Sequence, residues 1–134
     1  MEWRGQVKVL LDTCAVIWAT LSPSSLSPKV RNLIADPANE VLVSAASAWE
    51  ISTKVRLGRL TGAEKLERDY LDVMDAAGYS LLAIDTESAL RAGRLVADHR
   101  DPFDRMIAAQ ALALDIPVLS PDAEFDVFAV RRMW

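Results

Sequence analysis

With 134 residues, 51% hydrophobic and 25% charged, the chain carries enough apolar material for one self-sufficient core, and residues 1–134 are expected to form a single domain. A lone cysteine, Cys14, excludes an intrachain disulfide; no stretch approaches the roughly 20 apolar residues that span a bilayer; and the opening MEWRGQVKVLLD lacks the pattern of a secretory leader, so a cytoplasmic protein without membrane contact is expected. A formal net charge of −4 excludes binding to a polyanion through overall basicity, so any such contact falls to local clusters, namely Lys54, Arg56 and Arg59; Arg91 and Arg94; Arg100 and Arg105.

Residues 7–11 are an apolar run too short for a helix and read as a strand, followed by a helix-compatible stretch, Thr13 to Leu21, that Pro23 ends. Ser27 and Pro28 have the form of an N-cap with proline at the first helical position, opening a helix through Val30, Leu33 and Ile34 that Asp36-Pro37 closes. A second strand is expected over 40–44 and a helix over 45–57, stopped by Gly58. Over 63–77, Leu66, Tyr70, Val73, Met74 and Ala77 share one face at helical spacing, which predicts one amphipathic helix before Gly78. A third strand follows at 80–84, then a helix over 85–96 capped by Asp85 or Thr86. Asp101-Pro102 opens an alanine-rich helix to about 114, suited to close packing on a sheet. Residues 117–120 form a fourth strand and 127–131 a candidate fifth at the sheet edge. This alternation predicts an α/β fold, a doubly wound parallel sheet of four to five strands flanked by helices.

Four acids stand where strands hand over to the next element or open a helix: Asp12, Glu50, Asp104 and Asp122. Each has a structural explanation when taken alone. Asp12 can cap the following helix. Glu50 can pair with Lys54 four residues on, a contact worth roughly 0.2–0.5 kcal/mol on an exposed helix. Asp101 suits the N-cap before Pro102, which puts Asp104 in a first turn where the helix dipole favours anions. In a parallel sheet, however, the carboxyl ends of the strands share one rim, so all four converge there. Crowded carboxylates either keep their protons or bind a hard cation such as Mg²⁺ or Mn²⁺, and that donor set points to phosphodiester chemistry.

The succession LLDTCAVIW, SAWEI, DPFDRMIAAQA and LSPD resembles a PIN domain, and specifically the ribonuclease toxins of VapC-type toxin–antitoxin pairs, over essentially the whole chain. The resemblance implies a Mg²⁺-dependent endoribonuclease, with Mn²⁺ a possible substitute, in which Asp12, Glu50, Asp104 and Asp122 are the catalytic, metal-holding residues. Asp104 is preferred to Asp101 because Ile107, Ala108 and Ala109 follow it at the family's spacing; Asp101 stays a cap or a secondary candidate. Ser120 is implied to orient a ligand or water, and Thr13 to bond within the site or cap the helix. The resemblance also implies an RNA substrate, a cognate antitoxin, a homodimer, and contact with DNA only through the antitoxin. A PIN nuclease of RNA maturation and a catalytically idle PIN binding module are the alternatives.

Other side chains receive local readings. Arg105 either contacts a phosphate or pairs with a nearby acid, His99 is solvent-exposed or bonds its loop, and Cys14 is a small buried hydrophobe. Trp18 and Trp49 are expected to pack in the interior, while Trp3 and Trp134 mark the termini. A phosphorylatable receiver domain does not fit, because no lysine follows the late strands. A dinucleotide-binding module does not fit either, because the five glycines form no G-x-G-x-x-G.

Overall fold

The computed structural model describes residues 7–134, so Trp3 lies outside the described residues. Five parallel strands form one sheet in the order β3-β2-β1-β4-β5: β1 Lys8–Leu11, β2 Glu40–Ser44, β3 Ser80–Leu82, β4 Val118–Leu119 and β5 Arg132–Met133. The helices are α1 Thr13–Leu21, α2 Pro28–Ala35, α3 Ala45–Arg56, α4 Glu64–Arg68, α5 Tyr70–Ala77, α6 Thr86–Arg94 and α7 Pro102–Leu114. The expected doubly wound α/β architecture is therefore present.

The central strand explains the unbroken apolar run. Side chains alternate faces along a strand, so Val9 and Leu11 enter one core with Val41, Val43, Val16 and Ile51, while Leu10 enters the other with Leu42, Val118, Ile107 and Phe125. All of these except Leu42 are less than 5% exposed. Ala108 and Ala111 let α7 approach the sheet closely, as the small side chains suggest.

Strand order places the first and fourth strands side by side at the point where the winding reverses. There the chain leaves β1 through Asp12, whose N–H bonds to Leu119 O at 3.1 Å, and leaves β4 through Ser120, whose N–H bonds to Met133 O at 3.1 Å. These bonds carry the ladder one residue past the strands and hold both residues at the crevice where α/β proteins place ligands.

Two expected elements differ. The segment 63–77 is two helices, interrupted at Asp69, and both Leu66 and Met74 reach the same core. A straight helix would turn residues eight apart roughly 80° away from each other, and the bend at Asp69 removes that divergence. Residues 127–131 are not a strand: Ala123–Phe128 is a 3-10 helix, and the fifth strand lies later, at Arg132–Met133. Phe125 and Phe128, three apart, fall on one side of a three-residue turn, and both are buried. Ala129 then takes a left-handed conformation, φ 58°, to return the chain to the sheet. Other bounds shift by a residue or two: β3 ends at Leu82, and α6 spans Thr86–Arg94 with Asp85 as its cap.

Candidate metal centre

The four predicted acids and Asp101 line one cleft of about 400 Å³ at the carboxyl end of the sheet, together with Thr13, Cys14 and Lys54. Asp12 is 4% exposed. Its Oδ1 accepts the Ala15 N–H at 2.7 Å, so it is an N-cap as well as a cleft residue. Burial pushes its carboxyl up to about 7; the Ser120 hydroxyl and the Ala15 N–H work against the shift, and the charges of Asp104 and Asp122 add to it. The Ser120 oxygen accepts the Asp122 N–H at 3.0 Å, which leaves its own proton free for Asp12. Thr13 does not reach toward a helix end: its hydroxyl meets that of Ser47 at 3.0 Å, with both residues buried.

Glu50 departs from the exposed pair its spacing suggests. It lies on α3 with only 5% exposure, Oε2 accepts from Lys54 Nζ at 2.5 Å, and the buried Oε1 has no hydrogen-bond partner among the described residues. Burial works against the Lys54 ammonium, but the bond to Glu50 and the charges of Glu50, Asp101 and Asp104 more than offset it and hold its pKa up. A buried carboxylate oxygen without a partner is costly unless something positive or proton-bearing completes it.

Asp104 lies in the first turn of α7, and Asp101 caps that helix through the Phe103 N–H at 2.9 Å. Burial, then the charge of Asp101, raise the Asp104 carboxyl to about 6, against a bond from His99. Asp122 is exposed and caps the 3-10 helix through the Glu124 N–H at 2.9 Å. The four predicted acids thus share one cleft without forming a closed cage: among the described residues, no three His, Cys, Asp or Glu side chains are placed to hold an ion together. Within the cleft Lys54 engages Oε2 of Glu50, His99 engages Oδ2 of Asp104, and Asp12 and Asp122 each accept an N–H from the first turn of their own helices. Hard oxygen donors and the orphaned Glu50 Oε1 nevertheless suit Mg²⁺ or Mn²⁺.

Several local readings are corrected. His99 is neither exposed nor bonded to its loop: its side chain is 13% exposed, and Nε2 lies 2.9 Å from Asp104 Oδ2. Among the described residues Arg105 pairs with no acid; it donates instead to the carbonyls of Ala92, Leu95, Ala97 and His99 at 2.6–3.4 Å. Cys14 is half-buried on the cleft wall rather than interior. Burial and the charges of Asp12 and Asp122 push its thiol up to about 11, which leaves it protonated and unreactive. Trp49 is 63% exposed and meets Phe103 edge-on at 4.9 Å, whereas Trp18 packs against Trp134 at 5.7 Å.

Gln110, 2% exposed, accepts the Ser44 hydroxyl at 2.6 Å and donates to Ala83 O at 3.0 Å, tying α7 to the ends of two strands. The sequence signal was available: Gln110 falls on the same helical face as Ile107 and Ala111, and a polar group there needs partners.

The Arg105 fork is expected to be structural. Arg105→Ala should lower stability by about 2–3 kcal/mol, since several charge-assisted bonds to carbonyls are lost at once, and Arg105→Lys should not restore it. Urea denaturation checks this; a change below about 0.5 kcal/mol would mean that the 95–99 segment is held by other contacts.

The sequence model of the PIN domain matches residues 9–130. The chain belongs to the PIN domain family. A curated relative, Ribonuclease VapC16 of Mycobacterium tuberculosis (strain ATCC 25618 / H37Rv), is 40% identical over 57 residues, 42% of this chain, and the match spans 40% of that protein's length. Among solved structures, a chain of VapBC2 from Rickettsia felis, bound to a DNA fragment from its promoter, superposes with a TM-score of 0.71 at 16% identity, covering 96% of this chain and 99% of that one. A chain of FitAcB from Neisseria gonorrhoeae superposes with a TM-score of 0.65 at 20% identity, covering 94% and 96%. At these identities the likeness is one of fold, and it extends over nearly the whole PIN domain.

Proposed function

We propose that this PIN domain, residues 1–134 as one unit, is a Mg²⁺-dependent endoribonuclease of VapC type, the toxin of a toxin–antitoxin pair. In this reading it acts in the cytoplasm as a homodimer, is neutralised by a cognate antitoxin, and meets DNA only through that antitoxin. The observation that carries the reading is the convergence of Asp12, Glu50, Asp104 and Asp122 on one cleft, with Asp12 and Glu50 almost fully buried. The ribonuclease name of the relative supports the chemistry. The VapBC2 complex among the fold neighbours supports the antitoxin, and among the described residues no helix is long and apolar enough to cross a membrane.

The residues that would hold Mg²⁺, or Mn²⁺ in its place, are these four acids, with Asp101 at the rim. When bound, the ion supplies charge neutralisation at the phosphate and activation of water. The protein's own groups do the rest. Asp12 gives up the proton that burial favours and Ser120 donates to it. Glu50 offers its unpartnered Oε1 while Lys54 keeps Oε2 and sets a positive charge at the cleft wall. Trp18 and Ile17 give the cleft an apolar flank. His99 is committed to Asp104 and Arg105 to backbone, so neither serves here as a general base or as a phosphate clamp.

Expression of the protein alone in a bacterium, with sequencing of new RNA ends, tests the reading. Growth arrest with one or a few discrete cleavage sites is expected. Absence of new ends would overturn nuclease function, and discrete cleavage without arrest would point to RNA maturation instead. A separate expectation concerns binding. An acidic protein that meets RNA through Lys54, Arg56 and Arg59 should lose affinity steeply with salt, with a log–log slope near −2 if about three phosphates are neutralised. Filter binding across a salt series reads this, and a flat profile would exclude the basic cluster as the contact.

A further inference from the structure

We infer that His99 is a positioning residue for the metal centre: its Nε2 holds Oδ2 of Asp104, leaves free the Oδ1 that takes no hydrogen bond among the described residues, and so sets cation affinity. The inference rests on the function proposed above, since it assumes that Asp104 is a ligand.

The ring is fixed from three directions. Its face stacks on the buried Phe128, with centroids 5.3 Å apart and planes 28° apart. Its backbone is tied down because Arg105 donates to His99 O at 3.0 Å and, within the same fork, to the carbonyls of Ala97, Leu95 and Ala92. Its Nε2 then points at carboxylates, Asp104 Oδ2 at 2.9 Å and the largely exposed Glu124 at 3.8 Å. Against an ionised carboxylate that nitrogen has to donate, in either the neutral or the charged ring. Much of the entropy of ordering the imidazole is therefore lost on folding rather than on cation binding.

A donor held this rigidly against one oxygen of a ligand does for a carboxylate what outer partners of metal ligands do in general: it selects one orientation and one free lone-pair set, an arrangement whose loss typically costs about 10–100-fold in affinity. Asp101 caps the helix and so fixes the height of Asp104, and the segment 95–99, wrapped on Arg105, brings His99 to meet it.

The test measures Mn²⁺ binding by calorimetry on the whole protein without RNA. His99→Phe keeps an aromatic ring for Phe128 but has no donor, and should bind Mn²⁺ about 10–100-fold more weakly. His99→Gln carries an amide N–H to about the Nε2 position and should come within about fivefold of wild type, whereas the shorter His99→Asn should not. In an Asp104→Asn background, His99→Phe should change affinity no further, because its effect runs through Asp104; a merely structural role would weaken binding in both backgrounds. Wild-type affinity in His99→Phe, tighter binding, or equal losses in the two backgrounds would each overturn the inference while leaving the proposed function standing. Failure of the wild type itself to take up Mn²⁺ would overturn both. Should His99→Phe not fold, the Gln and Asn variants decide alone, and equal affinity in those two overturns the inference.

Discussion

RNA cleavage is expected to vanish in excess EDTA and to return when Mg²⁺ or Mn²⁺ is restored. Neither the side chains lining the cleft nor those just behind it can replace the lost electrophile. Cys14 stays protonated, His99 and Arg105 are committed to Asp104 and to backbone carbonyls, and Lys54 is a cation already paired with Glu50. Without added positive charge the carboxylates also repel the phosphate they would have to approach, so the loss should be complete to the limit of detection rather than partial. Denaturing gels of a labelled RNA, with chelator and then with added metal, read the result. Full activity in chelator would remove the metal-dependent mechanism and, with it, the reading of the four acids as ligands.

Asp12→Asn should lower cleavage on the order of 10²–10³-fold while leaving the chelated protein folded and, at alkaline pH, more stable than wild type. Asparagine is as good an N-cap as aspartate, so the Ala15 N–H keeps a partner and a pure capping role would cost little of either property. What changes is the buried charge. The Asp12 carboxyl, ordinarily near 3.8, is raised to about 7 by burial first and neighbouring carboxylates after it. A raised folded-state pKa means that the stability associated with the protonated group is present in full below about pH 4 and is lost as pH rises to about 7. In chelator the asparagine variant should therefore match wild type near pH 4 and exceed it by roughly 1–3 kcal/mol near pH 8. Mg²⁺ should raise the wild-type melting temperature, since a ligand bound only by the folded state stabilises it, and should do so far less for the variant. Melting curves at the two pH values, with and without metal, carry the comparison. A variant less stable than wild type near pH 8 in chelator would show Asp12 to be a satisfied cap rather than a strained site group.

Both expectations depend on features that differ in how far they could be read before folding. The caps at Asp12, Ser27, Asp85 and Asp101 and the continuous apolar run of the first strand were legible, because each is decided within a few residues of backbone. The rim on which the acids meet was legible too, since a parallel sheet leaves its carboxyl ends no other place. The 3-10 turn at Ala123–Phe128 and the break at Asp69 were not: the strand pattern and the helical face were locally self-consistent, and the buried positions of Phe125, Leu66 and Met74 in their cores overrode them.

For the site, sequence alone determined which acids stand at the carboxyl edge and, through the motif order, the PIN fold that gathers them. Tertiary structure alone decided what each side chain touches: the burial of Glu50 with one oxygen unpartnered, Arg105 turned inward onto four carbonyls, and His99 placed on Asp104. The physical reason is that an element's type is settled by neighbours in sequence, whereas a long polar side chain has several partners of similar energy within reach. Only the packing around it, such as Phe128 behind His99 or the core beneath Glu50, removes all but one.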